Sequence, residues 1–186
     1  MFAGRRADDR CVKTVLVVAM AMLTGLLPAA AGPQIAAPVP STTCSVFGAD
    51  NVWNMDVSSL PVNEKNRRLM HAMPAGTTLL HPDFGGPPYG FPFAVVNNAT
   101  PTVSVDFEYA SESDQVPYPL TATTPIEGGS DRHALMINED TCTLYELYAT
   151  RWNGGAPTAG SGAVFDLASN ALRPAGWTSA DAAGLP

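Results

Sequence analysis

The sequence predicts a mostly β domain, an antiparallel sandwich or barrel with one or two short helices. Three observations predict it. Seventeen prolines and 16 glycines punctuate the 186 residues too densely for long helices. "TVSVDFEYA", residues 102–110, alternates apolar and polar side chains with the period of a strand. "HALMI" (133–137) and "CTLYELYATRW" (142–152) flank the polar loop "NEDT", the pattern of a β-hairpin.

Taken in order, the chain opens on a leader. Arg5, Arg6, Arg10 and Lys13 precede a mostly apolar run from Thr14 to Leu27, and Pro28-Ala29-Ala30-Ala31 supplies small residues for cleavage after Ala31. This is the pattern of a secretory signal, residues 1–31. The run is shorter than the roughly 20 residues a membrane span needs. Arg5-Arg6 raises the twin-arginine route, although the pair stands well upstream of the run. Residues 32–43 are a Pro/Ala-rich spacer. Residues 44–186 then read as one β-rich domain.

Within that domain, "NEKNRRLMHAM" from Asn63 predicts a helix. Val62, Asn66, Leu69, Met70 and Met73 fall on one stripe, and Asn63 can cap it. "FPFAVV" (91–96) reads as a short strand. In 102–110, Val103, Val105, Phe107 and Tyr109 face one way and Ser104, Asp106 and Glu108 the other. "GAVFDL" (162–167) is a further strand. Thr178 and Asp181 stand in capping-box relation and predict a second short helix.

Charge and cysteines bound the environment. The whole chain has 10 basic and 17 acidic residues; the leader removes four basic and two acidic, leaving 6 against 15, a net of −9. Such a surface repels phosphate backbones and anionic lipid, so no nucleic-acid partner is expected. No later stretch is apolar enough to span a bilayer, and a secreted, extracytoplasmic protein is expected. Cys11 leaves with the leader, and the remaining pair, Cys44 and Cys142, is expected to form a disulfide.

Several polar groups could carry chemistry. If 131–137 is extended, Asp131 and His133 point to one side, and the carboxylate could orient the imidazole as a general base. The alternative is an Asp ending a loop and a His packed at a sheet margin. His81 and Asp83, with Pro82 between, could join a catalytic site or ligate a metal. With His133 they would make a three-ligand set for a divalent cation; otherwise no cofactor is expected. Turn chemistry is the alternative for that loop. Asp106 and Glu108 read as the wet face of a strand. Glu146, in the otherwise apolar "TLYELYA", must reach water, a ligand or a partner, with Arg132 and Arg151 as candidates. Trp53, Tyr89, Tyr118, Trp152 and Trp177, beside Gly, Pro or Asn, could form stacking platforms for sugar rings or plug the ends of a sandwich.

The stretches "IEGGSDRHALMINEDTCTLYELYA" and "SGAVFDLASNALRPAGWTSADAAGLP", with "NVWNMDVSSLPV" and "LHPDFG" more weakly, resemble a group of uncharacterised secreted bacterial proteins. The resemblance implies no activity. It implies that relatives continue past "AAGLP" and carry a second His-Ala-Leu stretch, so that this chain is a C-terminally truncated form. Together these features lead to an expectation of a secreted protein acting on extracellular or cell-wall polysaccharide through a His/Asp site. The alternatives are a carbohydrate-binding module without catalysis and a structural domain with no activity.

Overall fold

The computed structural model describes residues 38–73 and 90–186. The leader, the first part of the spacer and the loop holding His81, Asp83 and Tyr89 lie outside the described residues. The described strands are β1 (Phe93–Val96), β2 (Asp106–Phe107), β3 (Ala134–Asn138), β4 (Thr143–Tyr148), β5 (Thr158–Ala159) and β6 (Ser161–Asp166). Four of them form one sheet in the order β1-β3-β4-β6, and β2 pairs with β5 apart from it.

The fold is mostly β, as predicted. The sheet is open and mixed rather than purely antiparallel, and no barrel closes among the described residues. β3 and β6 flank β4 antiparallel, whereas β1 runs parallel to β3, and β2 parallel to β5. A parallel pair needs a long crossover. The stretch between β1 and β3 provides it, and its residues 103–120 return as a cover for the sheet.

The predicted hairpin is the centre of the molecule. Ala134 pairs with Leu147, Leu135 with Glu146 and Ile137 with Leu144. Side chains alternate across a strand, so this register sorts the hairpin onto two faces. On one face Ala134, Met136, Tyr145 and Leu147 pack with Val105, Phe107, Tyr118 and Leu120. The other face divides along its length. Near the turn, Ile137 and Leu144 pack with Val39, Cys44 and Phe47, so the end of the spacer from Pro38 lies on the domain. The Cys44–Cys142 disulfide ties this N-terminal cover to the turn. Toward the opposite end, His133, Leu135, Glu146, Tyr148 and Ser161 line a cleft instead of a core.

Two glycines show how closely the layers approach. A Cβ on Gly162 would stand 2.5 Å from the Tyr118 hydroxyl and 2.6 Å from the Phe107 ring. A Cβ on Gly160 would stand 2.7 Å from the Tyr148 ring. β6 is an edge strand, and side chains cover its open edge: Gly162 N–H donates to Ser113 Oγ and Val164 N–H to Asp114 Oδ2.

The alternation in 102–110 holds as burial: Val105 and Phe107 are inside, Ser104, Asp106 and Glu108 outside. Ladder pairing there is limited to β2 and the Val103–Tyr118 bridge. Tyr109 breaks the pattern and turns to the cleft.

Of the two expected helices the first forms and the second does not. α1 (Asn66–Ala72) forms, and Asn63 Oδ1 accepts the Lys65 N–H one residue before the helix begins. Its stripe is not buried: Val62, Leu69, Met70 and Met73 are all exposed. No helix starts at Thr178. The Ser179 hydroxyl takes the Asp181 N–H, and the Thr178 N–H goes to Glu112 Oε2. The Ser179 hydroxyl within the segment and the distant Glu112 carboxylate thus claim the donors that a helical turn would have left free.

Two stability outcomes follow. Gly162→Ala forces a methyl into the Tyr118–Phe107 contact and lowers stability by about 1–3 kcal/mol in denaturant titrations. Replacing Cys44 and Cys142 with serine opens a loop of 98 residues and costs about 2–5 kcal/mol, read as a lower denaturation midpoint.

Candidate functional site

The cleft is about 750 Å³. Its floor is the far end of the central sheet and its rim is the segment Thr178–Pro186. His133 precedes β3 by one residue and lies across from Tyr148, with ring centroids 5.9 Å apart. Glu146 is two residues before Tyr148 on the same strand face, which makes it the diagonal neighbour of His133.

His133 is held on every side. Its Nδ1 lies 2.6 Å from Glu127 Oε2, and its backbone N–H reaches the same oxygen at 3.3 Å. The Glu127 N–H donates to the His133 carbonyl at 2.8 Å. Phe91 meets the imidazole edge-on, with centroids 4.8 Å apart. Nε2 lies 3.3 Å from the Ala180 carbonyl, a hydrogen bond when Nε2 carries a proton. Gly129 leaves room for this arrangement, since a Cβ there would stand 2.5 Å from Glu127 Oε1.

The carboxylate that orients His133 is therefore Glu127 and not Asp131. The expected extended run fails at Arg132, whose φ is +49°. That left-handed residue turns the chain, and Asp131 ends at the cleft mouth, exposed and hydrogen-bonded by Ser130 Oγ at 3.0 Å. Arg132 is directed away, its Nε donating to the Thr150 carbonyl at 2.9 Å.

Glu146 is only 4 % exposed and forms no ion pair with either expected arginine. Its Oε2 is buried without a hydrogen-bond partner among the described residues. Burial pushes its carboxyl up from an ordinary 4.5 to about 7, opposed by the Ala180 N–H and by the Arg173 charge and helped by Asp181. Arg173 is itself committed. It pairs with Asp114, donates to the Glu112 and Gly162 carbonyls, and stands 5.8 Å from the Phe165 ring centroid and 5.3 Å from that of Trp177. This clamp holds the chain leading to Thr178 against β6.

The rim then approaches the floor through its main chain. Thr178 N–H donates to Glu112 Oε2 at 3.1 Å, and Ser161 Oγ donates to the Ser179 carbonyl at 3.0 Å. The next residue, Ala180, engages both Glu146 and His133. Tyr109 and Tyr148 complete the wall.

Of the residues singled out from the sequence, the cleft brings together His133, Asp131 and Glu146. The aromatic candidates among the described residues are not there: Trp152, half-buried, packs against the first core, Tyr118 is fully buried within it, Trp177 lies under Arg173, and Trp53 is exposed elsewhere. His81, Asp83 and Tyr89 lie outside the described residues. Among the described residues no three His, Cys, Asp or Glu side chains are grouped to hold a metal ion. Sequence reasoning missed Glu127, Glu112, Phe91, Tyr109, Tyr148 and Ser161. Tyr148 was within reach, because it shares the i, i+2 strand face with Glu146.

The Glu146 carboxyl gives a signed pH dependence. Its folded value is raised, so the folded state holds a proton that the unfolded chain releases between pH ~4.5 and ~7, and stability falls as pH rises through that window. Glu146→Gln removes the ionisation. The stability difference between wild type and variant shifts in the variant's favour by up to about 3 kcal/mol between pH ~4.5 and pH ~8, measured by urea unfolding across pH.

In comparisons with known proteins, no family model, no curated protein and no solved structure matches the chain.

Proposed function

We propose that this is an exported protein that hydrolyses extracytoplasmic polysaccharide in the cleft, with Glu146 as general acid and His133 as general base. The observation that carries the reading is the pairing on one sheet face of a buried carboxyl, free at one oxygen, with an imidazole fixed by a second carboxylate. A carboxyl titrating at about 7 still holds its proton near neutrality, as a general acid must. The rings of Phe91, Tyr109 and Tyr148 offer faces on which pyranose rings stack. The apolar leader run and the disulfide support an oxidising compartment.

In this mechanism the Glu146 proton passes to the glycosidic oxygen as the C–O bond breaks, the electron pair leaving with that oxygen. A water attacks the anomeric carbon from the opposite side and gives its proton to His133 Nε2. Glu127 stabilises the imidazolium through Nδ1–H. Solvent then carries the proton from His133 back to Glu146. His133 acts as a base in the tautomer with its proton on Nδ1, toward Glu127; Nε2 then has a lone pair, makes no hydrogen bond to the Ala180 carbonyl, and must turn to the attacking water.

The contact of Nε2 with the Ala180 carbonyl favours a second reading. With Nε2 already engaged by the rim, the cleft could hold a glycan without turning it over, as a binding module. Release of reducing ends from peptidoglycan, chitosan, xylan and β-glucan separates the two. Turnover of one of these is expected, with Glu146→Gln and His133→Ala each reducing it at least about 100-fold while thermal unfolding stays cooperative. Binding of a glycan without reducing-end release establishes the second reading, and turnover unchanged by both variants refutes the first.

A further inference from the structure

The cleft carries a charge that glycan hydrolysis alone does not require. Glu112 lines it, the exposed Asp131 and Asp181 stand at its mouth, and among the described residues neither Lys nor Arg lines it. The acidic rim would mean little by itself. Below it, however, lies Glu146, nine-tenths buried, with Oε2 lacking any hydrogen-bond partner among the described residues. The nearest guanidinium, Arg173, is held by Asp114 and lies near the Phe165 and Trp177 rings, outside the cleft lining. Among the described residues the cleft therefore offers ionised Glu146 no Lys or Arg as counter-ion, and His133, the one basic side chain lining it there, is already paired with Glu127. Phe91, Tyr109 and Tyr148 add electron-rich ring faces, which attract ammonium groups more than neutral ones.

We infer that the cleft selects a ligand bearing a primary ammonium group, which donates to Glu146 at the floor while Asp131 and Asp181 at the mouth attract it. The inference rests on the second reading of the cleft, glycan binding without turnover, in which Glu146 transfers no proton, and it names the ligand class: sugars with a free rather than an acetylated amine. Acetylation removes the charge and two of the three donors, leaving Glu146 without its counter-ion. The groups facing Glu146 set the pH response. Asp181 disfavours its ionisation, Arg173 and the Ala180 N–H favour it, and His133 stands diagonally across. Arrival of an ammonium ion favours the ionised form, so binding near pH 6 expels a proton.

The test is titration calorimetry on the full chain at pH ~6 and low salt with three probes. These are glucosamine oligomers, N-acetylglucosamine oligomers of equal length, and the non-sugar polyamine spermidine. Glucosamine oligomers are expected to bind at least about tenfold more tightly than the acetylated series, as loss of a charge-assisted hydrogen bond implies. That preference should fade as salt rises from about 0.05 M to about 0.5 M. Glu146→Gln removes the preference. Asp131→Asn, an exposed change that leaves packing intact, weakens it several-fold. Equal binding of both sugar series overturns the inference and leaves the glycan reading standing. Binding of spermidine but of neither sugar supports the ammonium site and overturns the glycan reading. Binding of none overturns the inference.

Discussion

The register of β3 against β4 is the constraint on which both cores and the cleft depend. Because side chains alternate, one choice of pairing decides which of two environments every hairpin residue meets. In the observed register Met136 and Leu147 face Tyr118 and Leu120, while Glu146 and Leu135 face the cleft. A slip of one residue on β4 would drive Glu146 among the aromatic rings and expose Leu147. Both alternatives carry a burial penalty of several side chains, so the register is strongly specified from both sides of the sheet. The disulfide at Cys142, one residue before β4, reinforces it at the turn.

The two halves of the cleft-bearing face differ because of what covers them. Near the turn, an apolar segment from the N-terminal side closes the face with Val39 and Phe47. Farther along, the cover is a polar rim whose approach is fixed by Arg173 and Asp114. A carboxyl at this second position meets low dielectric and few donors, which is why Glu146 keeps its proton to higher pH than an exposed glutamate. Moving the same residue two positions toward the turn would bury it against Ile137 and Phe47 instead.

Much of the fold was legible, for particular reasons. The hairpin was visible because two apolar runs flank a polar loop, and the disulfide because two cysteines lie downstream of the expected leader. The parallel β1–β3 pairing was not, since no local pattern records which strand a chain returns to after a long crossover. The stripe on α1 has helical spacing, yet periodicity states only that residues share a face, not that a partner covers it. In the site, His133 and Glu146 were visible as polar residues in apolar strands. Glu127 was hidden because its partnership depends on a chain reversal through Gly129 and the left-handed Arg132. The rim was misread as a helix because its capping pattern is real, but distant carboxylates compete for the same N–H groups.

The rim meets the floor of the cleft through peptide groups: one amide donates to Glu112, one carbonyl accepts from Ser161, and Ala180 presents both kinds of group. At Ala180, whose peptide group makes both contacts, a wall made this way is indifferent to the side chain carried. Sequence drift at 180 would leave its chemistry intact, whereas an imino acid there would delete the amide that Glu146 relies on. Substitution tolerance and functional importance are thus decoupled at this position.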